Sequence, residues 1–306
     1  MPQLLVILGP TASGKTRLAV QVAHRLGGEI ISADSRQVYR GMDIGTGKDL
    51  ADYVVEGEAV PYHLIDIVEA GSDYNLFDYQ TDFHRALADV RSRGRVPVVC
   101  GGTGLYLEAV LKGHQFTAVP NDHALRTELD QLTDADLLAR FRQTPSIYSD
   151  RADTSTRKRL IRAIEIADYL TRNNLRALPP APQLPHFTLF GLDLPVELRR
   201  ARISARLRAR LANGMVEEVR RLLDRGVPAE KLVFYGLEYK FITQYLTGEL
   251  DYATMTARLE TAIHQFAKRQ MTFFRSMERN GTAIHWLDGT QPTDTLAEQV
   301  LRLSRS

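Results

Sequence analysis

Short, almost uninterrupted runs of apolar residues recur through the first hundred residues, and each ends in turn-forming residues. The runs are Leu4–Gly9, Glu29–Asp34, His63–Val68 and Pro97–Gly102. Between the first two, Leu18, Val22 and Leu26 recur at helical spacing. Strands that are apolar throughout and alternate with helices are typical of a parallel sheet covered on both faces. The pattern therefore predicts an α/β fold in which helices flank a parallel sheet.

The pattern changes after about Gly113, where polar, charge-rich helices follow one another without an intervening strand. Two helices are predicted here, over residues 121–142 and 154–173. A Pro-rich stretch at 178–185 is then typical of a linker. This part of the chain is predicted to be an all-helical domain.

Strand character returns at residues 186–194 and 283–288, and the segments between them have helical periodicity. The predicted helices there are 196–212, 215–225 and 253–278. We therefore predict a core built from residues 1–114 and 186–306, with a helical insertion at 115–185.

The composition excludes membrane-spanning and disulfide-rich classes. Hydrophobic residues make up 44% and charged residues 25% of the 306 residues, as in globular proteins. No apolar run reaches about 18 residues, so no transmembrane helix is expected. The apolar N-terminus reaches Gly9 and Pro10 without the flanks of a signal peptide. The single cysteine, Cys100, lies in an apolar strand and is expected in the core, which favours a cytoplasmic protein.

Positive charge is concentrated in one part of the chain. The net charge is only +2, yet residues 151–225 carry 16 Lys and Arg against 8 Asp and Glu. Arginine outnumbers lysine 32 to 7, and guanidinium groups suit phosphate oxygens and nucleobases. The arginine content therefore favours a polyanionic partner, although a GC-rich genome explains it equally well.

The segment GPTASGKT matches the phosphate-loop pattern G-x-x-x-x-G-K-[ST], directly after a strand and before an amphipathic helix. Its backbone amides and the helix N-terminus bind phosphate oxygens, Lys15 supplies a mobile charge, and the Thr16 hydroxyl is a ligand for Mg²⁺. This predicts a P-loop NTPase-like core that binds a diphosphate or triphosphate. Kinases, NTPases and diphosphate-releasing transferases all use such a loop. The predicted binding residues are Gly9, Pro10, Thr11, Ala12, Ser13, Gly14, Lys15 and Thr16.

Two further polar residues are expected at the same edge of the sheet, where parallel strands end and ligands bind. Asp34 ends the second apolar run, and Thr103 follows the fourth within Gly101–Gly104. Asp34 is either a general base or metal ligand, or the N-cap of a helix. Thr103 is either a hydrogen-bond donor to substrate or a turn residue. A second glycine-rich string, Gly45–Lys48, lacks the preceding strand and is interpreted as an ordinary loop.

Basic residues also recur at helical spacing on three predicted helices. Arg202, Arg206 and Arg210 share one face of the first, and Lys268 and Arg275 share a face of the late helix. The third group, at the start of a helix in the insertion, is Arg157, Lys158, Arg159 and Arg162. One such face alone is usually solvated. Three of them together with a phosphate loop favour a large anionic substrate such as RNA.

Several motifs together resemble the tRNA dimethylallyltransferases of bacteria. The motifs, in order, are GPTASGKT, SADSRQVYRGMDIGTGK, VPYHLID, GGTGLY, RLIRAIEI and FAKRQMTFFR. The resemblance implies transfer of a dimethylallyl group from dimethylallyl diphosphate to the exocyclic amine of the adenosine 3′ to the tRNA anticodon. It also implies a monomer that uses Mg²⁺.

The same resemblance implies a role for individual residues. The phosphate loop would hold the diphosphate with Mg²⁺ on Thr16, and Arg202 or Arg206 would neutralise the leaving group. Asp34 would be the general base, and Thr103 would position the amine. The expected tRNA contacts are Asp34, Ser35, Arg36, Gln37 and Thr103 in the pocket, Arg126, Arg157, Arg159 and Arg162 in the insertion, and Lys268 and Arg275 on the late helix.

Three alternatives remain open at this point. An adenylate isopentenyltransferase would prenylate free AMP, ADP or ATP, but it would not need the basic insertion. A P-loop kinase acting on a small metabolite would leave SADSRQVY and GGTGLY unexplained. A non-catalytic RNA-binding protein would not need Lys15, Thr16, Asp34 and Thr103 together.

Overall fold

The main sheet of the protein is parallel, as the apolar runs predict. The computed structural model describes residues 4–177 and 182–304. Within them the strands are β1 (Leu4–Leu8), β2 (Glu29–Ser32), β3 (Tyr39–Arg40), β4 (Val54–Val55), β5 (Glu58–Ala59), β6 (Tyr62–His63), β7 (Val68–Glu69), β8 (Pro97–Gly101), β9 (Phe187–Asp193) and β10 (His285–Asp288). Six strands form one sheet in the order β10-β9-β1-β8-β2-β6, and every neighbouring pair is parallel. The predicted α/β fold is confirmed.

Helices directly follow four of the six strands of the main sheet, namely β1, β8, β9 and β10. The helices of the described residues are α1 (Lys15–Leu26), α2 (Leu76–Ser92), α3 (Gly104–Lys112), α4 (His123–Asp130), α5 (Asp134–Gln143), α6 (Arg157–Arg172), α7 (Val196–Ala212), α8 (Met215–Asp224), α9 (Ala229–Tyr235), α10 (Leu237–Leu246), α11 (Tyr252–Arg279) and α12 (Thr293–Leu303). In the part of the chain that the structure describes, none of them is long and apolar enough to cross a membrane. The sequence patterns did not predict α3, α9, α10 and α12.

Strand β1 shows why an unbroken apolar run predicts a central strand. Leu5 and Ile7 pack in a buried cluster with side chains of α1 and α12. Leu4, Val6 and Leu8 point to the other face and pack with side chains of α2, α3 and α11. Because both faces are covered, every residue of the strand is buried. The loops at the carboxyl ends of the strands are thereby fixed along one edge of the sheet.

The predicted strand over 63–68 is wrong beyond His63. The backbone has positive φ at Leu64 and Asp66, and Val68–Glu69 pairs instead with β3 in a separate two-stranded sheet. The turn brings the Asp66 carboxylate to the buried ammonium of Lys48. The buried ammonium of Lys48 needs a partner of opposite charge, and the turn at residues 64–66 supplies the Asp66 carboxylate. The sequence around Asp66 does not reveal that its partner is Lys48.

The prediction of one helix over 121–142 is also wrong, because two helices cover this range. The Thr133 hydroxyl accepts a hydrogen bond from the backbone amide of Asp136 and thereby caps the N-terminus of α5. The helix α4 has already ended at Asp130. A favourable cap inside an amphipathic pattern therefore starts a second helix.

The chain divides into two compact units. One comprises Met1–Leu111 and Leu184–Ser306, and the other is Lys112–Gln183. In the second unit, the described residues form α4, α5, α6 and short 3₁₀ turns around buried side chains such as Leu129, Leu137 and Ile164. Of the predicted linker at 178–185, residues 178–181 lie outside the described residues.

The second unit is held together partly by a buried carboxylate. Glu165 of α6 is 2% exposed and accepts hydrogen bonds from Arg126, Arg162 and the backbone amide of Asp122. Burial acts to raise the pKa of Glu165, but these hydrogen bonds outweigh it and hold the pKa below its ordinary value. The folded unit therefore favours the ionised form of Glu165.

We expect Glu165→Ala to lower the free energy of unfolding by about 3 kcal/mol, because it leaves two guanidinium groups without their buried partner. Folding lowers the pKa of Glu165, so the ionised carboxylate stabilises the fold fully above its unfolded pKa of 4.5. This stabilisation is lost as the pH falls below 4.5. Urea unfolding followed by circular dichroism at pH 7 and in acid measures both effects.

A matched control is Glu128→Ala, which removes an exposed carboxylate paired with Arg140. Exposed pairs contribute about 1 kcal/mol at most, so this variant should lose much less stability than Glu165→Ala. Equal losses in the two variants would contradict the role assigned to Glu165.

Candidate active site

The loop Gly9–Thr16 joins β1 to α1, in the strand-loop-helix context that the sequence predicts. Ala12 and Gly14 have left-handed backbone, with φ of 61° and 89°. This conformation turns the chain so that α1 begins at Lys15 and the first amides of the helix face the loop without intrahelical partners. The Lys15 ammonium lies 3.5 Å from the carbonyl oxygen of Pro10, at the outer limit of a hydrogen bond. The loop has the geometry of an anion site with a mobile cation.

This loop borders a cavity of about 570 Å³ in the first unit. Loops at the carboxyl ends of three strands line it: Thr11, Lys15 and Thr16 after β1, residues 34–37 after β2, and residues 101–104 after β8. Further lining residues come from the segment 45–53, from α7 and α11, and from the segment 233–240. The cavity therefore lies where open parallel sheets bind ligands.

Positive charge is concentrated in this cavity around Lys15. Burial lowers the pKa of its ammonium, the nearby Cys100 and Asp34 partly offset this, and Arg206 and Arg210 add to the lowering. A bound anion would relieve both the loss of hydration and the repulsion between these cations. The site is thus prepared for a strongly anionic ligand.

Two arginines of α7 add to that charge. Arg206 donates a hydrogen bond to the Thr11 hydroxyl, and burial followed by repulsion from Arg210 lowers the pKa of Arg206 to about 10. Within the described residues, no carboxylate oxygen lies within 4.0 Å of Arg206. Arg210 is paired with Asp49 at 3.0 Å. Arg206 is therefore the better placed of the two to neutralise a ligand.

Asp34 and Thr103 are brought together, as their positions at the strand ends predict. The backbone amide of Arg36 donates to Asp34 Oδ1 at 2.9 Å, and the amide of Ser35 donates to the Thr103 hydroxyl oxygen at 3.1 Å. Both side chains line the cavity. No helix begins after Asp34, so the alternative role of helix N-cap is wrong. The carboxylate is instead aimed by a local turn.

Gln270 of α11 connects the two loops, a role that the sequence analysis missed. Its side-chain oxygen accepts a hydrogen bond from the Thr11 amide at 2.9 Å, and its side-chain nitrogen donates to the Gly102 carbonyl at 2.8 Å. The residue is 9% exposed. The sequence signal for this role is that Gln270 is a polar residue on a face of α11 that is otherwise apolar. The amide fixes the phosphate loop relative to the loop that carries Thr103.

We expect Gln270→Met to lower kcat/KM for the proposed transfer by about tenfold, because Thr11 and Gly102 lose their shared partner and the loops become misaligned. The two unsatisfied backbone groups should also cost about 1–3 kcal/mol of stability. Steady-state kinetics and urea unfolding measure the two effects.

The same substitution at Gln265, an exposed residue of α11, is the matched control and should leave both quantities near wild type. A Gln270→Met variant with wild-type kinetics would show that the two loops hold their positions without the bridge.

Comparison with known proteins places these observations in a family. The family model described as IPP transferase matches residues 37–277, and the one described as isopentenyl transferase matches residues 2–60. A tRNA dimethylallyltransferase 1 of Porphyromonas gingivalis is 55% identical over 98% of both chains. One from Parabacteroides distasonis is 51% identical over 98% of this chain and 97% of the relative. The chain belongs to the tRNA dimethylallyltransferase family.

A solved structure agrees with this assignment. The tRNA delta(2)-isopentenylpyrophosphate transferase of Staphylococcus epidermidis is 29% identical, with a TM-score of 0.70 and complete coverage of both chains. The predicted P-loop core is thus shared with a protein of the family.

The basic residues expected from the family pattern are distributed unevenly. Arg206 lines the cavity, but Arg202 does not. Arg210 also lines the cavity, although it was not among the predicted ligand contacts. Lys268 is exposed on α11 outside the lining. Arg275 pairs with Asp193 at 2.8 Å and stacks over a tryptophan ring. For Arg202, Lys268 and Arg275, a ligand role stays a prediction.

The four arginines of the insertion that are predicted to contact tRNA all have partners inside the second unit. Arg126 and Arg162 bind the buried Glu165, and Arg157 donates to carbonyl oxygens at the end of α4 and pairs with an aspartate. Arg159 is exposed, and its partner, Asp153, is exposed too. Exposed pairs exchange partners at little cost, so Arg159 is the one most readily available to a phosphate. Their contacts with tRNA remain predictions.

A metal in this site would be held by few protein atoms. Among the described residues, no group of three or more His, Cys, Asp or Glu side chains could hold an ion. The Thr16 hydroxyl lines the cavity beside Lys15. Mg²⁺ typically binds through one or two protein oxygens together with substrate phosphates, so these residues fit a magnesium ion that arrives with a diphosphate.

The loop Gly45–Lys48 was interpreted as ordinary, and its lysine indeed serves the fold. Lys48 is 1% exposed and binds Asp43, Asp66 and a backbone carbonyl. Residues 45–47 nevertheless line the cavity. Glu218 holds this loop, since its carboxylate accepts hydrogen bonds from three successive amides, those of residues 43–45.

Proposed function

We propose that the protein transfers a dimethylallyl group from dimethylallyl diphosphate to the exocyclic amine of the adenosine 3′ to the anticodon of tRNA, as a monomer in the cytoplasm. The observation that carries the proposal is that Asp34 and Thr103 line the same cavity as Lys15 and Arg206. One side of the cavity suits a departing diphosphate, and the other suits an amine that must lose a proton.

The phosphate loop supports the leaving-group half of the reaction. As the carbon–oxygen bond breaks, negative charge accumulates on the diphosphate. Lys15, Arg206 and the amides at the start of α1 are already in place to stabilise that charge. Magnesium bound to Thr16 and the diphosphate would add Lewis-acid neutralisation. The loop therefore releases diphosphate here and does not need to cleave a nucleotide.

Asp34 and Thr103 support the acceptor half. The new bond joins the allylic carbon to the adenine nitrogen, which must give up one proton. Asp34 accepts that proton, because its carboxylate is aimed into the cavity by the Arg36 amide. The oxygen of Thr103 accepts a hydrogen bond from the Ser35 amide, and its hydroxyl faces Ser35 Oγ at 3.4 Å. The second lone pair of the Thr103 oxygen is left to accept a hydrogen bond from the adenine amine and so positions it.

An adenosine inside an anticodon loop reaches this cavity only after it leaves the base stack. Ser35 and Arg36 line the entrance beside Asp34, and Gln37 supports them by donating to the Gly47 carbonyl at 3.0 Å. Arg126, Arg157, Arg159, Arg162, Lys268 and Arg275 would contact tRNA phosphates, with Arg159 and Lys268 the most exposed of them.

The experiment that tests the proposal offers purified protein, Mg²⁺ and labelled dimethylallyl diphosphate to unmodified tRNA and to AMP in parallel. Label should appear in tRNA, at the adenosine 3′ to the anticodon after nuclease digestion. Label in AMP alone would favour an adenylate isopentenyltransferase. If neither accepts label, a kinase or ATPase activity would replace the proposal.

A further inference from the structure

The cavity is bordered by an exposed aromatic side chain to which the proposed reaction gives no role. Phe234 of α9 is 66% exposed, more than any other exposed large hydrophobic residue that the structure describes. Its neighbour Val233 is exposed as well, and both line the cavity. Ligand pockets are typically lined by apolar and aromatic side chains together with a few polar groups.

Phe234 is held in this exposed position by a rigid support. The next residue, Tyr235, is buried, its ring centroid lies 4.3 Å from that of Tyr39, and its hydroxyl accepts a hydrogen bond from the Gly71 amide at 2.8 Å. Gly236 then has φ 147° and ψ −179°, a conformation essentially restricted to glycine. The backbone that carries Phe234 is therefore held before any ligand binds, which lowers the entropic cost of binding.

A guanidinium group lies over this ring. Arg36 Cζ is 5.5 Å from the centroid of Phe234. Within the described residues, no carboxylate oxygen lies within 4.0 Å of the Arg36 guanidinium. An aromatic face together with an unpaired guanidinium is the combination that proteins use to stack unpaired nucleobases.

This pair lies beside the proposed acceptor site. The backbone of Arg36 donates the hydrogen bond that aims Asp34, so the guanidinium and the carboxylate project from one turn. A base that reaches Asp34 belongs to a chain that continues out of the cavity past this rim. We infer that Phe234 and Arg36 form a stacking site for the nucleobase adjacent to the target adenosine, an inference that rests on the proposed function.

The prenyl chain is the other ligand that could use an aromatic ring here. Its five carbons are attached to the diphosphate and so start at the phosphate loop, whereas Phe234 is largely open to solvent. A hydrocarbon on this ring would also bury the Arg36 guanidinium without a hydrogen-bond partner, which is unfavourable. A nucleobase has both a π face and polar edges, so it suits both side chains.

The test uses the full-length protein and an anticodon stem-loop RNA that carries fluorescent 2-aminopurine on the 5′ or the 3′ side of the target adenosine. Wild type and Phe234→Tyr should change the fluorescence of one of these two probes on binding, and Phe234→Leu should not. Phe234→Leu should also weaken RNA binding about tenfold, with the KM for dimethylallyl diphosphate unchanged. Tyr252→Ala, at an exposed aromatic residue outside the cavity lining, is the matched control and should behave as wild type.

Three results would overturn the inference. The first is that wild type and Phe234→Leu bind RNA with equal affinity and equal fluorescence change. The second is that Phe234→Leu has a higher KM for the prenyl diphosphate while its RNA binding is unchanged. The third is that Phe234→Tyr and Phe234→Leu lose RNA affinity and fluorescence change equally. Failure of the proposed function is separate from these outcomes. It would appear as absent label transfer by wild type to any RNA, while the fluorescence change still reports stacking.

Discussion

Replacing Lys15 by methionine is expected to lower kcat/KM for prenyl transfer by about 10³-fold. The variant keeps the length of the side chain but removes the cation that reaches over the phosphate loop. Charge accumulates on the diphosphate as the allylic bond breaks, and one preorganised charge or donor typically stabilises such a transition state by this amount. Because the ground-state diphosphate also carries charge, the KM for dimethylallyl diphosphate should rise as well. Steady-state kinetics with labelled donor measures both changes.

The matched control is Arg25→Met, which removes a positive charge from the last turn of the same helix, where Arg25 pairs with the exposed Asp294. It should transfer at the wild-type rate. Wild-type turnover in Lys15→Met would mean that the phosphate loop does not hold the leaving group.

Replacing Asp34 by asparagine is expected to lower kcat by about 10²–10⁴-fold, the contribution typical of a positioned general base. Asparagine retains an oxygen that can accept the hydrogen bond from the Arg36 amide, so the turn should survive. RNA affinity should therefore change little, and gel-shift or fluorescence titration with stem-loop RNA checks it beside the kinetics.

Asp294→Asn, an equivalent change at an exposed aspartate, provides the control. If Asp34→Asn turned over normally but bound RNA poorly, the carboxylate would be a binding group and the proton would go elsewhere. If Asp34→Asn lowered turnover, RNA affinity and the unfolding midpoint together, the role of Asp34 would be to stabilise the turn at residues 34–36.

The parallel sheet and the phosphate loop could be predicted because their signals are local. An apolar run such as Leu4–Leu8 is buried on both faces wherever it lies in the sheet, and the loop after it needs only glycines, Lys15 and Thr16 at fixed spacing. Asp34 and Thr103 could be placed at one edge because parallel strands end on the same side.

Errors arose where a distant partner determined the local conformation. The run from His63 to Val68 has the composition of a strand, yet Asp66 turns to meet Lys48, which lies 18 positions away. The basic cluster of the insertion has the composition of a phosphate-binding surface. Two of its members, Arg126 and Arg162, also pair with the buried Glu165, which the composition does not reveal, while their contacts with tRNA stay a prediction. Composition gives the charges but not the identity of their partners.

The sequence by itself determined the α/β sheet, the phosphate loop and the acidic rim residue Asp34, because each depends on residues that are neighbours in the chain. Only the tertiary structure selected Arg206 and identified Gln270. Arg206 meets Thr11 across 195 positions, and Gln270 meets Gly102 across 168. Helical periodicity shows which residues share a face but not which other element that face meets. Packing of the helices against the sheet makes that choice, and the chemistry of the cavity follows from it.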